Sequence, residues 1–387
     1  MTGTPSKSIK PASSAGELHD NIQLVLQDGK IFKGKSFGYR KSLSGEVVFN
    51  TAMSGYPESL TDPSYEGQIL VLTYPLIGNY GVPPMLEEGG LLRFFEAENI
   101  HIKALVISEY SIESSHWNSW KTLSRWLIEN KIPAISGVDT RALTSHLREQ
   151  GVMSGKLIFD NIDVDFAENS KINMVKKVST KKIITYGKGT YKIVLVDCGV
   201  KSNIIRRLVS RDTTVIRVPW DHNFNNMEYD GLFISNGPGD PEILTQAIEN
   251  IAVALKGDKP VFGICLGNQL LALAAGGKTY KLPYGHRSHN QPVRMKDTNR
   301  CFITSQNHGY ATDAKSLGKE WEELFYNLND QTNEGIRHKS KPFFSTQFHP
   351  EASSGPTDTD FLFDDFIEMI KKSIQNKPDL PDSGKVA

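Results

Sequence analysis

Cys265 stands between two glycines in the run Pro260–Gly277, PVFGICLGNQLLALAAGG. The order is a short apolar strand, a turn written G-x-C-x-G by Gly263, Cys265 and Gly267, and an apolar helix. This is the thiol counterpart of the G-x-S-x-G nucleophile elbow, where a sharp strand-to-helix bend holds the reacting atom on strained backbone. The glycines flank it because a Cβ on either side would collide. At the first turn of a helix, unpaired N–H groups and the macrodipole favour thiolate. An isolated cysteine is ordinarily an inert core residue. The strand–elbow–helix context reverses that reading.

A cysteine nucleophile needs a base, and the segment FFSTQFHPE, Phe343 to Glu351, supplies one. Pro350 drives His349 toward extended backbone. In an extended segment residues i and i+2 share a face, so His349 and Glu351 project the same way. A histidine to take the thiol proton and a carboxylate to orient it complete a Cys-His-acid set for covalent catalysis. His222, His286, His289 and His338 read as ordinary surface or core histidines, and His308 in SQNHGY has no acid at a suitable spacing.

GICLGNQ with HPE downstream resembles the class I, triad-type glutamine amidotransferases. Two further blocks narrow the match: Gly45 to Val82, GEVVFNTAMSGYPESLTDPSYEGQILVLTYPLIGNYGV, and Gly137 to Gly151, GVDTRALTSHLREQG. Both resemble the N-terminal domain of the carbamoyl-phosphate synthetase small subunit, and the resemblance runs from about Ile22 to Lys372. It implies an α/β chain: an N-terminal mixed α/β domain, then an amidotransferase domain with a mainly parallel, doubly wound sheet. The expected boundaries are a disordered tail over 1–20, the first domain over 21–160, a linker over 161–190, the amidotransferase domain over 191–375 and a tail over 376–387.

The resemblance also implies roles. The amides of Gly237 and Leu266 would form an oxyanion hole, and glutamine would be held by Ser64, Gly237, Gly239, Leu266, Gln269, Asn307, Gly309 and Tyr310. Ser64 would be the contribution of the first domain, placing the pocket at a domain junction. Cys265 would attack the side-chain amide, release ammonia, and leave a γ-glutamyl thioester for water to hydrolyse. Two positions depart from the family's habit: Asn268 where histidine is common and Tyr310 where phenylalanine is common. The partner implied is a synthetase large subunit, or fused synthetase domains, carrying ATP and Mg. No cofactor and no metal are expected in this chain. Its nearest approach to a P-loop, ALAAGGKT from Ala272 to Thr279, follows a helix instead of opening one and lacks the first glycine. The product would serve arginine synthesis, pyrimidine synthesis or both. A catalytically silent regulatory or scaffolding subunit is the alternative, since some relatives have lost the cysteine. A peptidase or γ-glutamyl hydrolase would keep the elbow but would not need the first domain.

Bulk properties agree. The chain has 387 residues, enough for two cores. Its 44 Lys and Arg balance 44 Asp and Glu, which gives no charge case for nucleic acid or an anionic membrane. No apolar run is long enough to span a bilayer. Three cysteines fit a reducing compartment, with Cys198 and Cys301 read as packing residues. Residues 1–20 have no arginine and no apolar stretch for a secretory signal. A cytoplasmic location is expected, with the mitochondrial matrix as second choice.

Along the chain, Leu24 to Gly34 reads as a hairpin around Asp28-Gly29, and Trp120 to Asn130 and Thr140 to Gly151 as helices. From Tyr191 strands and helices alternate, which predicts a parallel sheet with functional loops at the strand carboxyl ends. Shorter strands are expected after Lys278, and a closing amphipathic helix over Asp358 to Gln375.

Overall fold

The computed structural model describes residues 19–167 and 172–376. Both expected tails lie almost wholly outside the described residues. In the first body seven strands close into a barrel, in the order His19–Leu26, Ile31–Ser36, Ala134–Ser136, Ala104–Tyr110, Gln68–Ile77, Leu43–Asn50, Met153–Phe159. The Asp28-Gly29 hairpin is present, pairing Val25 with Ile31. Leu43–Asn50, Gln68–Ile77 and Ala104–Tyr110 run parallel. Their apolar residues are buried on both faces. Val47, Phe49, Ile69, Val71, Ala104 and Val106 pack with Leu143 and Leu147. Val48, Leu70, Leu72, Leu105 and Ile107 pack with Leu60, Leu123 and Trp126. Leu143 and Leu147 belong to the helix Thr140–Gln150, which the Asp139 carboxylate caps by accepting from Ala142 N at 2.9 Å. Closure into a barrel has no local sequence signature, because alternation marks faces and not which strands meet at the seam.

The second body is a ten-stranded sheet. Its centre is parallel: Thr213–Pro219, Tyr191–Asp197, Gly231–Ile234, Val261–Ile264 and Phe343–Thr346 lie side by side in that order. Their central residues form apolar runs because helices cover both faces. Ile193, Leu195, Phe233 and Phe262 pack against Ser202–Val209 and the closing helix Phe361–Gln375. Val194, Val196, Leu232 and Ile234 pack against Thr245–Ala254 and Leu266–Ala274. No described helix is long and apolar enough to cross a membrane.

Three expectations need correction. The segment after Lys278 reaches its short strands, Trp321–Asn327, Asn333–His338 and Phe343–Thr346, only after a longer element. It forms a long antiparallel pair, Lys278–Met295 and Cys301–Asp313, whose pairing slips between Lys281 and His286 and again between Ser288 and Gln291. Each slip breaks the two-residue rhythm by which a strand is read. The proposed linker is partly folded into the second body: Ile184–Tyr186 adds an antiparallel edge strand to Thr213–Pro219, and Met174, Val175 and Ser179 are buried. So short an element within a polar stretch carries little periodic signal. Finally, Cys198 is buried but Cys301 is exposed, so Cys301 is no packing residue.

Candidate functional site

Four adjacent parallel strands deliver the site residues from their carboxyl ends, where an open α/β sheet leaves its crevice. Lys201 follows Tyr191–Asp197, Gly237 follows Gly231–Ile234, Cys265 follows Val261–Ile264, and His349 with Glu351 follows Phe343–Thr346. Cys265 adopts φ 56° and ψ −103°, a conformation that costs about 1–3 kcal/mol and persists only where the surroundings enforce it. Enforcement is visible. Cys265 N donates to Thr346 O at 2.8 Å, tying the bend to the neighbouring strand. A Cβ on Gly263 would stand 2.5 Å from Gly267 O, and one on Gly267 2.2 Å from Ile234 O. Helix Leu266–Ala274 then starts one residue after the sulfur.

His349 is fixed from two sides. Its backbone N donates to Ser305 O at 2.9 Å, and its Nδ1 lies 2.7 Å from Glu351 Oε1. Glu351 is fully buried and meets Lys201 Nζ at 3.0 Å; Lys201 also donates to Ala352 O at 2.7 Å. Burial alone would raise the Glu351 carboxyl, yet Lys201 and then His349 hold it down at about 2. Burial alone would lower His349, but the Glu351 carboxylate and the neighbouring Cys265 sulfur push it up to about 10. The imidazole's other nitrogen, Nε2, is buried and has no hydrogen-bond partner among the described residues. The Cys265 thiol donates to Asn307 O at 3.6 Å. A thiol turned from that carbonyl to the open Nε2 would yield thiolate and imidazolium, with Glu351 and Lys201 balancing the charge behind them.

In front of the sulfur lies a cavity of about 350 Å³ at the junction of the two bodies. Ser64, Gly237, Gly239, Gln269, Asn307, Gly309 and Tyr310 line it together with Cys265. Leu266 does not line the cavity; it is buried at the first position of the helix, where its backbone N–H is one of the unpaired terminal donors. Neither that N–H nor the one on Gly237 is engaged by another described residue. The first body enters through the turn Asp62–Ser64: Asn236 Nδ2 donates to Ser64 Oγ at 2.9 Å, and Asn307 Nδ2 to Asp62 Oδ2 at 3.0 Å.

Comparison with known proteins agrees with this arrangement. The family described as carbamoyl-phosphate synthase small chain, CPSase domain, matches residues 24–157, and glutamine amidotransferase class-I matches residues 194–369. A carbamoyl phosphate synthase arginine-specific small chain from Phaeosphaeria nodorum is 48% identical over 95% of this chain and 79% of its own length. The chain belongs to the carbamoyl-phosphate synthase small-chain family. The multifunctional protein CAD of Squalus acanthias is 54% identical over 90% of this chain, and the mitochondrial carbamoyl-phosphate synthase [ammonia] of Aquarana catesbeiana 51% over 90%. The chain spans only 16% and 24% of the length of those two relatives.

Within this small-chain fold the two departures find places. Asn268 is wholly buried outside the cavity wall: Nδ2 donates to Gln347 Oε1 at 3.0 Å and Thr312 Oγ1 at 3.2 Å, and Oδ1 accepts from Ser345 Oγ at 2.7 Å. Tyr310 presents its carbonyl to Gln269 Nε2 at 2.9 Å, a backbone contact that phenylalanine would make equally. Its hydroxyl is pushed up by burial and by Asp240.

Sequence reasoning missed three groups. Lys201 sits 150 positions from the carboxylate it serves, and no local pattern marks it. Arg287 lines the cavity, although it was not among the residues expected to hold the ligand. His308, read as lacking an acid, has Glu334 Oε1 at 3.9 Å from Nε2. Its neighbour His286 lies between Asp330, 2.8 Å from Nε2, and Glu334, 3.3 Å from Nδ1. Against its burial, those carboxylates push His286 up to about 9, whereas burial holds His308 well below the usual histidine range. This buried network ties the strand carrying Asn307 to its neighbours.

Proposed function

We propose that the chain is the glutaminase component of a glutamine-hydrolysing carbamoyl-phosphate synthetase. One observation carries this reading: a strained Cys265 at a helix N-terminus, beside a Glu351-braced His349 whose Nε2 is open, facing a cavity between two bodies. L-Glutamine enters with its side-chain amide at Cys265. His349 holds the proton of the Cys265 thiol as an imidazolium, and the thiolate attacks the amide carbon. Charge builds on the amide oxygen, and the unengaged N–H groups of Gly237 and Leu266 are the donors available to it. His349, now protonated, gives its proton to the departing nitrogen, and ammonia leaves. A water molecule, activated by the same imidazole, then cleaves the γ-glutamyl thioester to glutamate. Lys201 keeps Glu351 ionised throughout, so that the imidazolium formed in each half-reaction is stabilised.

The ammonia goes to an ATP-grasp synthetase partner, either a large subunit or domains fused to this one, which joins it to bicarbonate with ATP and Mg. The family membership and the names of the relatives support that assignment. The chain itself needs no cofactor for glutamine hydrolysis, and its product serves arginine synthesis, pyrimidine synthesis or both. The cytoplasm is the proposed location, with the mitochondrial matrix second. Replacement of Cys265 by serine tests the core of the reading. Ammonia release from L-glutamine should vanish while glutamine binding by calorimetry persists; undiminished release would refute it.

A further inference from the structure

Arg287 is a buried cation without a buried anion. It lies in Lys278–Met295, directly across the ladder from Asn307, and is 5% exposed. Its side chain lines the cavity in front of Cys265. Of its N–H groups one is used: Nη1 donates to Tyr284 O at 2.7 Å. Nε is buried with no partner, and no described carboxylate comes within ion-pair distance of the guanidinium. Glu46, the carboxylate acting on it most strongly, is engaged by Lys281 at 2.8 Å and by Gln68 at 2.8 Å. Two glycines make the room it occupies. A Cβ on Gly285 would stand 2.6 Å from Nη1, and one on Gly309 3.2 Å from Nη2.

A guanidinium taken from water and left unpaired is a strong destabiliser, and proteins retain such a group where an anion arrives to meet it. Its planar fork matches a carboxylate in two parallel hydrogen bonds. We propose that Arg287 is a specificity residue that receives the α-carboxylate of the glutamine whose amide reaches Cys265. This rests on the reading of the cavity as a glutamine site and deepens it: the pocket selects an α-amino acid, not merely a primary amide. Gly309 then acts by leaving space for that cation.

The test compares L-glutamine with 4-aminobutanamide, which is glutamine without its α-carboxylate, in ammonia release by wild type, Arg287→Met and Arg287→Lys. Wild type should strongly prefer glutamine. Arg287→Met should lose roughly 10–150-fold in kcat/KM for glutamine, the worth of a hydrogen bond to a charged group, mainly through KM. Turnover of 4-aminobutanamide should change little, and Arg287→Lys should recover part of the glutamine rate. The thermal midpoint of Arg287→Met should hold or rise, because an unpaired charge has been removed. Equal losses on both substrates, an unchanged glutamine rate, or a lowered midpoint would each overturn the assignment. Failure of the wild-type chain to release ammonia from glutamine at all would overturn the glutamine reading together with this one, a result distinct from the other three.

Discussion

Two sets of buried charge stand near Cys265, and they are built differently. In one, Lys201, Glu351 and His349 form a closed chain with contacts of 3.0 and 2.7 Å. In the other, Arg287 faces the cavity with its Nε unpartnered. The closed chain has its two ion pairs in place before any ligand arrives, so its task is to keep one imidazole in one orientation while Nε2 stays open to the reacting groups. The open cation is completed only by something that enters. The catalytic set pairs its charges internally, leaving only Glu351 Oε2 and His349 Nε2 of that set without partners, whereas the guanidinium has no ion-pair partner among the described residues. That difference tells catalytic support from ligand contact without reference to any bound molecule.

The comparison can be broken most severely at Lys201. Lys201→Met removes one of the two cations that Glu351 meets and leaves it buried with His349 alone among the described residues; breaking a buried pair typically costs about 3–5 kcal/mol. A denaturant titration should show that loss of stability together with nearly complete loss of glutamine hydrolysis. Preservation of both would show that the closed chain is not a working unit. Next comes the oxyanion donor. Gly237→Ala would place a Cβ 2.1 Å from Cys198 O and displace the N–H, so kcat should fall on the order of 10²–10³-fold in steady-state kinetics.

The titration of the closed chain gives a subtler test. His349 sits at about 10, above its ordinary 6.5, so its favourable contribution is complete below pH 6.5 and is lost as pH rises through about 10. Glu351 sits at about 2, below its ordinary 4.5, so its contribution is complete above pH 4.5 and is lost as pH falls through about 2. The stability gap between wild type and His349→Gln, followed by thermal denaturation, should therefore be widest between pH 4.5 and 6.5 and narrow steadily above. A gap that widens with alkali would contradict the assigned charges. The smallest effect belongs to Asn268→Ala, which removes the acceptor 2.7 Å from Ser345 Oγ and one of two donors to Gln347 Oε1, leaving the weaker Ser345–Ile336 contact at 3.4 Å and the Gln269 contact. Stability should drop by about 1–3 kcal/mol with kcat nearly unchanged.

How much of this was legible in the sequence follows from distance along the chain. The elbow could be read because its constraints are local: glycines two residues either side of a cysteine state a steric fact that the Gly267 O and Ile234 O contacts then display. His349 and Glu351 could be read as a pair because they stand two residues apart, but the structure joins them across a turn, with Ala352 N donating to His349 O at 3.2 Å, and not along the extended segment expected. Lys201 and Arg287 could not. A lysine after a strand and an arginine within a slipped strand have no distinguishing neighbours, and each acquires its role only when residues far apart in sequence meet. The His286, His308 and Glu334 cluster failed in the same way, its acid arriving from another strand. Barrel closure is also a long-range fact, settled by which strand completes the ring.

The most direct measurement is the intact mass of the chain quenched in acid during turnover of L-glutamine, followed by mapping of any adduct. The account predicts a γ-glutamyl adduct, labile to hydroxylamine, on the peptide containing Cys265 and absent from Cys265→Ser. Glutamate formed at the wild-type rate with no adduct, or with the adduct on Cys198 or Cys301, would contradict it.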